Sequence, residues 1–502
     1  MENVDFNAKI ITDNVHGSIG LSKLEQEIIN TRTFQRLKKI KHLGLACLVF
    51  PAAEHTRFTH SIGVLHVMSL MIIRLKEVKC DKLLGEGGNK NVQKLRLAAL
   101  LHDVGHYPLS HPGEQVFQWV DYVQSVTDVT YESNGDSNDQ LILLNAEKHY
   151  KSDAAKHERL GRLILEHANS EIRKILEHHD YDPSEIARII NAEDDDNPFY
   201  NQLMSSTLDC DRLDYMLRDA KQTGTYYGNI DLIYILRNLD WDSNERLVCY
   251  TPKAITAIEH FITSRYFSYN IIYHKTTLGF ELIAKALFYS MIMDKDFKVG
   301  DYNGIVHSFT EIKDRIKDDD DFLTNFNDEY FWYYLDLYLN KYEPKSKLAK
   351  RLSENLLLRK PLRPIYELKT IETKAEGFHD DKYTYLTKCL TDNIQFKDKL
   401  NSLDLGLEHI SVAERKIKFE EIEHAVEFDD ISGIQPEDRL KLVKIKQGDE
   451  IKELITHSGS IVKILSKFKP CIARLYALVD KNSKEEKELK SFVNELIAKK
   501  TG

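Results

Sequence analysis

The chain has 502 residues, of which 42% are hydrophobic and 29% charged, and its formal net charge is −10. These values are typical of a globular protein with a large core and two or three domains. The negative charge makes nucleic acid an unlikely partner for the chain as a whole, although a local basic patch is compatible with it. The apolar runs are too short or too interrupted to span a bilayer.

The six cysteines are scattered and form no CxxC pair. This spacing favours reduced thiols over a disulfide framework or a zinc site. The first residues are acidic and contain no apolar signal core. We therefore expect a cytoplasmic protein that does not use a membrane.

The N-terminal third begins with an extended stretch over residues 1–20 that turns at His16 and Gly17. Ser22 and Glu25 have the spacing of a capping box, which predicts the start of a helix. The basic segment that follows, residues 33–42, is compatible with a solvated helix face and equally with a contact to phosphate.

A histidine opens the next apolar helix. His60 lies at the N-terminal end of a predicted helix over about residues 62–76, close to Arg57. A capping or core histidine is the simpler interpretation. The planar guanidinium of Arg57 can bind phosphate through two hydrogen bonds, however, and this favours a site for metal-bound phosphate.

The most informative stretch is residues 95–106. Its apolar residues recur on one helical face, which predicts a buried helix that ends near Gly105 with a left-handed cap. His102 and Asp103 lie at the end of that helix. A mutual hydrogen bond or exposure to solvent would explain an isolated pair. Buried titratable groups are costly unless they are paired or bind a metal, and adjacent His and Asp can both reach one ion.

Residues 208–219 carry four carboxylates within eleven positions of a predicted helix. Asp211, Asp214 and Tyr215 share one face of that helix. A solvated acidic helix is the alternative, but the leucines and methionine between the carboxylates indicate partial burial.

The remaining chain has weaker signals. A long helical region is predicted over residues 253–293, an aromatic helix over 330–342, and a strand over 365–368. Residues 405–447 alternate apolar and charged positions, as strands do, and residues 483–500 predict a charged helix.

The titratable groups on apolar elements form an ordered set of two imidazoles and two carboxylates: His60, His102, Asp103 and Asp211. Such a set suits Mn, Fe, Co or Zn better than Mg, which prefers oxygen ligands. Each segment alone is a weak signal, whereas the ordered pattern of the three segments is a strong one.

This pattern resembles the HD-domain superfamily, and specifically the dNTP triphosphohydrolases, the group that includes the vertebrate SAM- and HD-domain protein and bacterial dGTPases. The resemblance covers about residues 7–290. It rests on the following runs: His16-Gly17, 34–37, Phe50-Pro51, 55–63, 102–111, His157-Glu158 and 209–215.

The resemblance implies a mainly α protein with two parts. Residues 1–300 would form a helical HD-type phosphohydrolase domain. The resemblance does not extend reliably beyond about residue 370, and from the pattern of the later elements we expect residues 301–502 to form a mixed helical and strand region that serves regulation or oligomerisation.

The resemblance also implies a role for each matching position. The four residues of the ordered set would bind a divalent metal ion (Mn, Fe, Co, Zn or Mg). His106 would be the general acid, and His157 and Glu158 would complete a proton relay with it. The substrate-binding residues would be Arg57 and His111 for the phosphates, and His42, Leu43, Tyr215 and Asp219 around the sugar. The reaction would convert a dNTP to the deoxynucleoside and inorganic triphosphate.

Two positions depart from the vertebrate-type members. His42 replaces a glutamine that contacts the 3′-hydroxyl, which puts sugar discrimination in question. Asn30 replaces an aspartate that recognises guanine in an allosteric pocket, so activation by a guanine nucleotide is not expected. Lys9, Gln35 and Lys38 are retained as candidate regulatory contacts, together with Asn30. We expect a homo-oligomer, with a tetramer as the first candidate.

Two alternatives to a dNTP triphosphohydrolase stay open. The chain could be another HD phosphohydrolase that acts on nucleoside monophosphates, cyclic nucleotides or ATP, or it could be a non-catalytic nucleotide sensor or single-stranded nucleic-acid binder. His102→Ala is expected to abolish metal binding and activity together. Control of nucleotide pools and antiviral defence are both compatible with the leading interpretation.

Overall fold

The structure is a computed structural model, and it describes residues 5–83, 87–126, 155–294, 296–297, 304–318, 320–342, 344, 346–373, 393–416, 436–466 and 468–501. The polar, glycine-containing sequence of residues 133–139 predicts a loop, which lies outside these ranges.

The described chain is mainly helical, as the sequence predicts. Its α-helices are Lys23–Ile29, Arg32–Gln35, Arg57–Glu77, Gly88–Leu101, His111–Val126, His157–Glu166, Glu171–His178, Pro183–Ile190, Pro198–Met204, Cys210–Thr223, Leu232–Arg237, Ile255–Ile272, Lys275–Met293, Phe309–Asp318, Asp320–Asn325, Asp328–Leu337, Lys347–Leu357, Ile394–Ser402, Pro436–Leu440, Val462–Leu465 and Lys484–Thr501. A π-helical turn, Tyr338–Tyr342, continues the aromatic helix predicted over residues 330–342.

Nine short strands form three small sheets in the described residues. The strands are β1 Lys9–Asp13, β2 Gly17–Leu21, β3 Leu239–Asp242, β4 Leu247–Tyr250, β5 Arg363–Thr373, β6 Ile410–Lys416, β7 Lys444–Gln447, β8 Glu450–Glu453 and β9 Phe468–Ala477. β1 and β2 form an antiparallel hairpin, β3-β4-β7-β8 form a sheet in which β4 and β7 are parallel, and β5-β9-β6 form an antiparallel sheet.

The centre of the fold is the helix Arg57–Glu77. It is buried along most of its length because apolar residues cover nearly all of its surface between Ile62 and Leu75. The helices Gly88–Leu101 and Cys210–Thr223 pack against it. These three helices carry the three segments of the ordered His and Asp pattern, so their packing brings those segments together.

The start of the first helix is confirmed in detail. The Ser22 hydroxyl accepts a hydrogen bond from the Glu25 backbone N–H, and the Glu25 carboxylate accepts one from the Ser22 backbone N–H. This is the reciprocal geometry of a capping box. Glu25 is fully buried and also binds Arg96, so the cap is tied to the helix Gly88–Leu101.

Two predicted helix boundaries are wrong. The helix that carries the His102 motif ends at Leu101, and residues 102–105 form a turn in which Gly105 does not take a left-handed conformation. The helical region predicted over residues 253–293 is broken at Tyr273, and a new helix begins after His274. The His274 side chain accepts a hydrogen bond from the Thr276 backbone N–H and so caps that helix.

A large core spans most of the described chain, and a second, smaller core lies in the C-terminal region. The large core includes the helices between residues 309 and 357. The smaller core is formed by the sheet β5-β9-β6 and by the helices Ile394–Ser402 and Lys484–Thr501. The division of the chain near residue 300 stays a prediction.

The expectation that every apolar run is too short or too interrupted to span a bilayer was wrong, because the helices Arg57–Glu77 and Lys275–Met293 are long and apolar enough to cross a membrane by length and composition. Most of their residues are buried inside the protein, as in the core helices of globular domains.

Candidate metal centre and active site

Four side chains from three structural elements meet at one point. His60 lies in the first turn of the helix Arg57–Glu77, His102 and Asp103 follow the helix Gly88–Leu101, and Asp211 lies in the first turn of the helix Cys210–Thr223. His60 Nε2 is 2.9 Å from Asp211 Oδ1 and 3.8 Å from Asp103 Oδ2. His102 Nε2 is 3.4 Å from Asp103 Oδ1 and 3.9 Å from Asp211 Oδ1.

The arrangement fits a divalent transition metal ion. His102 Nε2 is buried and has no hydrogen-bond partner in the described part of the chain, whereas its Nδ1 is held by the Ala99 carbonyl at 2.8 Å. One ligand atom each from His60, His102 and Asp211 lies within 4.8 Å of the others. An imidazole whose second nitrogen is fixed by a backbone carbonyl is oriented as a metal ligand requires.

The carboxylates around His60 create a strongly negative environment. Burial disfavours the charged imidazole, but hydrogen bonds to Asp211 and Asp214 raise the pKa of His60 to about 10. The same negative charge would favour a bound metal cation.

Asp214 orients His60 from behind. Its Oδ2 accepts a hydrogen bond from His60 Nδ1 at 2.8 Å, while its Oδ1 lies 2.6 Å from His16 Nε2. Arg218 binds both carboxylate oxygens of Asp214 and also binds Asp13. Sequence reasoning placed Asp214 on the same face as Asp211 but gave it no role. The position of the carboxylate three residues after Asp211 was the available signal.

Arg57 contacts Asp103, one of the candidate metal ligands. Its Nη1 donates to Asp103 Oδ2 at 2.9 Å, its Nε donates to the Ser110 hydroxyl at 3.0 Å, and its Nη2 donates to the His42 carbonyl at 3.2 Å. Burial alone would raise the pKa of Asp103, but the guanidinium of Arg57 and the neighbouring imidazoles hold it well below its usual range. The phosphate-binding role predicted for Arg57 stays a prediction.

His106 and His157 stack face to face beside this motif. Their ring centroids are 4.2 Å apart, and the rings are inclined by only 20°. His106 Nε2 lies 3.0 Å from Asp103 Oδ1, which connects the stack to the candidate metal ligands. Among the described residues, no hydrogen bond joins the two rings, so the predicted proton relay lacks a direct link between them.

Glu114 is the carboxylate that the sequence analysis missed. Its Oε2 lies 3.2 Å from His157 Nδ1 and 3.0 Å from His111 Nδ1. Glu158, predicted as the relay carboxylate, lies 3.3 Å from His157 Nδ1, but its side chain is 44% exposed against 9% for Glu114. The spacing of His111 and Glu114, three residues apart at a helix start, was a usable signal.

The charges of this group follow from that geometry. Burial lowers the pKa of His157, but the carboxylate of Glu114 outweighs it and raises that pKa to about 9. Burial and the positive charges of Arg57 and His157 hold the pKa of His106 well below its usual range. At neutral pH the proton of this pair therefore lies on His157.

The residues predicted to surround the sugar lie on the other side of His60. The His42 ring is 4.2 Å from the His60 ring, and Nε2 of His55, which was not predicted as a site residue, donates to Asp219 Oδ1 at 2.8 Å. Leu43 and Tyr215 are half-buried. The structure thus brings His42 and Asp219 to the candidate metal centre.

The predicted regulatory residues lie at the surface or near it. Lys9, Asn30 and Lys38 are exposed, and Gln35 is half-buried. The Gln35 amide donates to the Ile29 carbonyl, and the Lys38 ammonium lies 4.6 Å from the centroid of the Phe58 ring. Their role in binding a nucleotide stays a prediction.

The basic segment over residues 33–42 is divided between two environments. Arg36 is only 1% exposed and donates to the carbonyls of Val104, His106 and Phe326. Lys39 is on the surface, where it pairs with Glu329 at 2.7 Å. Neither interpretation of this segment predicted a buried arginine behind the turn of residues 102–105, which we call the active-site turn.

The mainly helical fold and the clustered histidines and aspartates agree with a comparison of the sequence with protein families. Residues 57–216 match the family model described as HD domain. The chain therefore contains an HD domain over about a third of its length.

Individual relatives support this assignment. The chain is 31% identical over 296 residues to an uncharacterised protein of Methanocaldococcus jannaschii, a match that covers 58% of this chain and 52% of the relative. It is 42% identical over 103 residues to human deoxynucleoside triphosphate triphosphohydrolase SAMHD1, a match that covers 20% of this chain and 16% of the human protein. The matched region is thus about half of the archaeal relative and much less of the human one.

A solved structure shares the fold. The crystal structure of a phosphohydrolase from Bacteroides thetaiotaomicron matches with a TM-score of 0.61 at 24% identity, over 93% of this chain and 99% of the other.

Proposed function

We propose that the protein hydrolyses deoxynucleoside triphosphates to deoxynucleoside and inorganic triphosphate with a divalent metal ion. The observation that supports this most directly is the stacked pair of His106 and His157, which places a protonated imidazole next to the Asp103 end of the candidate metal centre. The similarity to human SAMHD1, named for this reaction, supports the substrate class.

The residues that would hold the metal are His60, His102, Asp103 and Asp211. A bound divalent ion supplies Lewis-acid polarisation of a phosphate group and of a water molecule. The protein contributes the fixed orientation of the ligands, because Asp214 and the Ala99 carbonyl hold the outer nitrogens of the two histidines.

We assign the proton for the leaving oxygen to His157 instead of His106, which the sequence predicted as the general acid, because burial and Arg57 hold the pKa of His106 well below its usual range. A pKa of about 9 keeps His157 protonated at neutral pH, and Glu114 stabilises that charge. Release of a nucleoside oxygen from a phosphate requires such a proton donor. His106, between His157 and Asp103, would position the donor against the phosphate, and the Arg57 guanidinium and the His111 ring would contact the polyphosphate.

The remaining parts of the proposal follow the same family pattern. We assign Tyr215, Leu43, His42 and Asp219 to the nucleoside end of the substrate and Lys9, Asn30, Gln35 and Lys38 to a regulatory nucleotide. A homo-oligomer and a cytoplasmic location belong to the proposal too, the latter because Cys47, Cys80, Cys210 and Cys249 carry free thiols.

A product analysis tests the proposal. Purified protein with Mn or Mg is given each dNTP and NTP, alone and in pairs, and the products are separated by ion-exchange chromatography. We expect deoxynucleoside and triphosphate in equal amounts, and a pair that outperforms its members identifies an activator.

The other outcomes are distinct. Release of phosphate or pyrophosphate would replace the proposal with another HD phosphohydrolase activity. Absence of turnover with every pair, in protein shown to contain metal, would favour a nucleotide sensor.

A further inference from the structure

A second group of metal-ligating side chains lies next to the HD centre. His42, His55 and Asp219 are 8%, 7% and 7% exposed, so each is more than nine-tenths buried. Asp219 Oδ1 is 2.8 Å from His55 Nε2 and 3.6 Å from His42 Nε2. One ligand atom from each of the three residues lies within 4.8 Å of the other two.

The backbone holds the two histidines in fixed positions. The His42 N–H donates to the His55 carbonyl at 3.0 Å, and the neighbouring residues Lys41 and Thr56 form an isolated antiparallel bridge. Asp219 projects from the third turn of the helix Cys210–Thr223, the helix that also carries Asp211. The cluster is therefore built on elements that the HD centre already fixes.

The protein alone does not satisfy the hydrogen-bonding capacity of this cluster. Nδ1 of His42 and Nδ1 of His55 are buried without a hydrogen-bond partner among the described residues. His42 Nε2 is too far from Asp219 for a hydrogen bond. An ion held by the two Nε2 atoms and Asp219 would leave both Nδ1 atoms unpaired, so the case for the ion rests on the burial and the spacing of the three donor groups. A single structural His–Asp pair would need His55 and Asp219 only, which leaves the buried His42 unexplained.

Two imidazoles and one carboxylate form a donor set that binds Fe(II), Zn(II) and related ions with positions left open. We propose that His42, His55 and Asp219 hold a second divalent transition-metal ion beside the HD centre. Mg would be disfavoured, because it prefers an all-oxygen environment.

The two ions would be neighbours. The His42 ring lies 4.2 Å from the His60 ring, and ligand atoms of His42, His60 and Asp103 also lie within 4.8 Å of one another. Paired metal ions about 3.5–4 Å apart act in many enzymes as a clamp on a phosphate group. If the proposed function holds, the contact of His42 and Asp219 with the nucleoside end of the substrate would pass through this ion.

Counting bound metal tests the proposal without nucleotide or turnover, so its result does not depend on the proposed reaction. Metal-free full-length protein is saturated with Co(II), desalted, and analysed by elemental analysis and by visible absorption. We expect two ions per chain in the wild type and one in His55→Gln, Asp219→Asn and His42→Gln. His102→Ala should lose the other ion and keep one.

His179→Gln is the matched control, since His179 is a surface histidine paired with Glu27. It should keep both ions. Circular dichroism reports whether each variant is folded. If a variant is not folded, the wild-type protein alone tests the proposal. Its metal count should be two ions per chain, and its electron paramagnetic resonance spectrum with Mn(II) should show exchange coupling between two ions.

Saturation of the wild type at one ion per chain, or retention of two ions by folded His55→Gln and Asp219→Asn, would overturn the proposal. In that case a direct contact of His42 and Asp219 with substrate would be the better interpretation.

Discussion

The Nδ1 atom of His60 lies 2.8 Å from Asp214 Oδ2, so a buried carboxylate fixes the ring that points its Nε2 at Asp103 and Asp211. Burial alone would raise the pKa of Asp214, but Arg218, His16 and His60 hold it well below its usual range. Asp214 is therefore a charged partner of the His60 ring at neutral pH and strengthens its other nitrogen as a ligand.

This relationship makes Asp214→Asn a specific test. The substitution keeps the shape of the side chain but removes the charge that orients and polarises His60. We expect a 10- to 100-fold loss of affinity for Mn or Co, measured by titration of metal-free protein, with a parallel loss of activity at limiting metal.

Asp242→Asn is the matched control, because Asp242 at the end of β3 is also buried but pairs with Lys446 of β7. It should leave metal affinity unchanged. Equal metal affinity in wild type and folded Asp214→Asn would show that the His60–Asp214 contact has only a structural role.

Glu114→Gln tests whether Glu114 keeps His157 protonated at neutral pH. Removal of the carboxylate takes away the charge that raises the pKa of His157, so less of the histidine is protonated above pH 7. We expect kcat at neutral pH to fall about 10- to 100-fold, and the alkaline limb of the pH profile to move to lower pH. Glu158→Gln should shift the limb less, because Glu158 is nearly half exposed. If the alkaline limb moved equally in the two variants, Glu114 would not be the main carboxylate that raises the pKa of His157.

The same pair predicts how stability depends on pH. The folded pKa of His157 is raised from 6.5 to about 9, so its contribution is complete below pH 6.5 and is lost as pH rises through about 9. That shift corresponds to about 3 kcal/mol. The unfolding free-energy difference between wild type and Glu114→Gln, measured with denaturant from pH 6 to 10, should therefore shrink between about pH 6.5 and pH 9 and stay small above pH 9. A difference that is constant over this range would contradict the assignment.

The sequence predicted that these histidines and aspartates cluster, because such side chains are unusual on apolar elements. His60, His102 and Asp211 stand on apolar helices, where titratable groups are costly, and that conflict is visible without a structure. The fold class followed from the same helical periodicity.

The supporting residues could not be predicted in this way, because their burial depends on distant parts of the chain. Arg36 is buried by contact with the carbonyl of Phe326, a residue 290 positions away. Glu114 gains its role from His157, which is 43 positions away. A basic or acidic residue on an amphipathic segment looks the same in sequence whether it faces solvent or a buried carbonyl.

Arg36 provides a prediction about the active-site turn. Its guanidinium donates to the carbonyls of Val104 and His106 on one side and of Phe326 on the other. Arg36→Met leaves three buried acceptors without donors, so we expect a loss of about 3 kcal/mol in unfolding free energy. Arg36→Lys keeps the charge, but the lysine cannot reach all three carbonyls. Its unfolding free energy should therefore lie between those of Arg36→Met and the wild type. Equal stability of Arg36→Met and wild type would contradict this role.

Gly105 is required for a close approach between the active-site turn and the helix His157–Glu166. A Cβ atom added at Gly105 would overlap the carbonyl oxygen of His157 and the backbone nitrogen of Gly161. Gly105→Ala should therefore push the helix away and separate His157 from His106, with a loss of about 1–3 kcal/mol in stability and about 100-fold in kcat.

Gly161 faces the same contact from the other side and provides the control. A Cβ added there would lie 3.6 Å from the Gly105 nitrogen, which is an ordinary van der Waals distance. Because alanine is also the better helix former, Gly161→Ala should be folded, active and slightly more stable. The two variants add the same methyl group to opposite sides of one contact, so a packing effect predicts unequal outcomes. Equal kcat values in the two folded variants would mean that the spacing between the turn and the helix does not control catalysis.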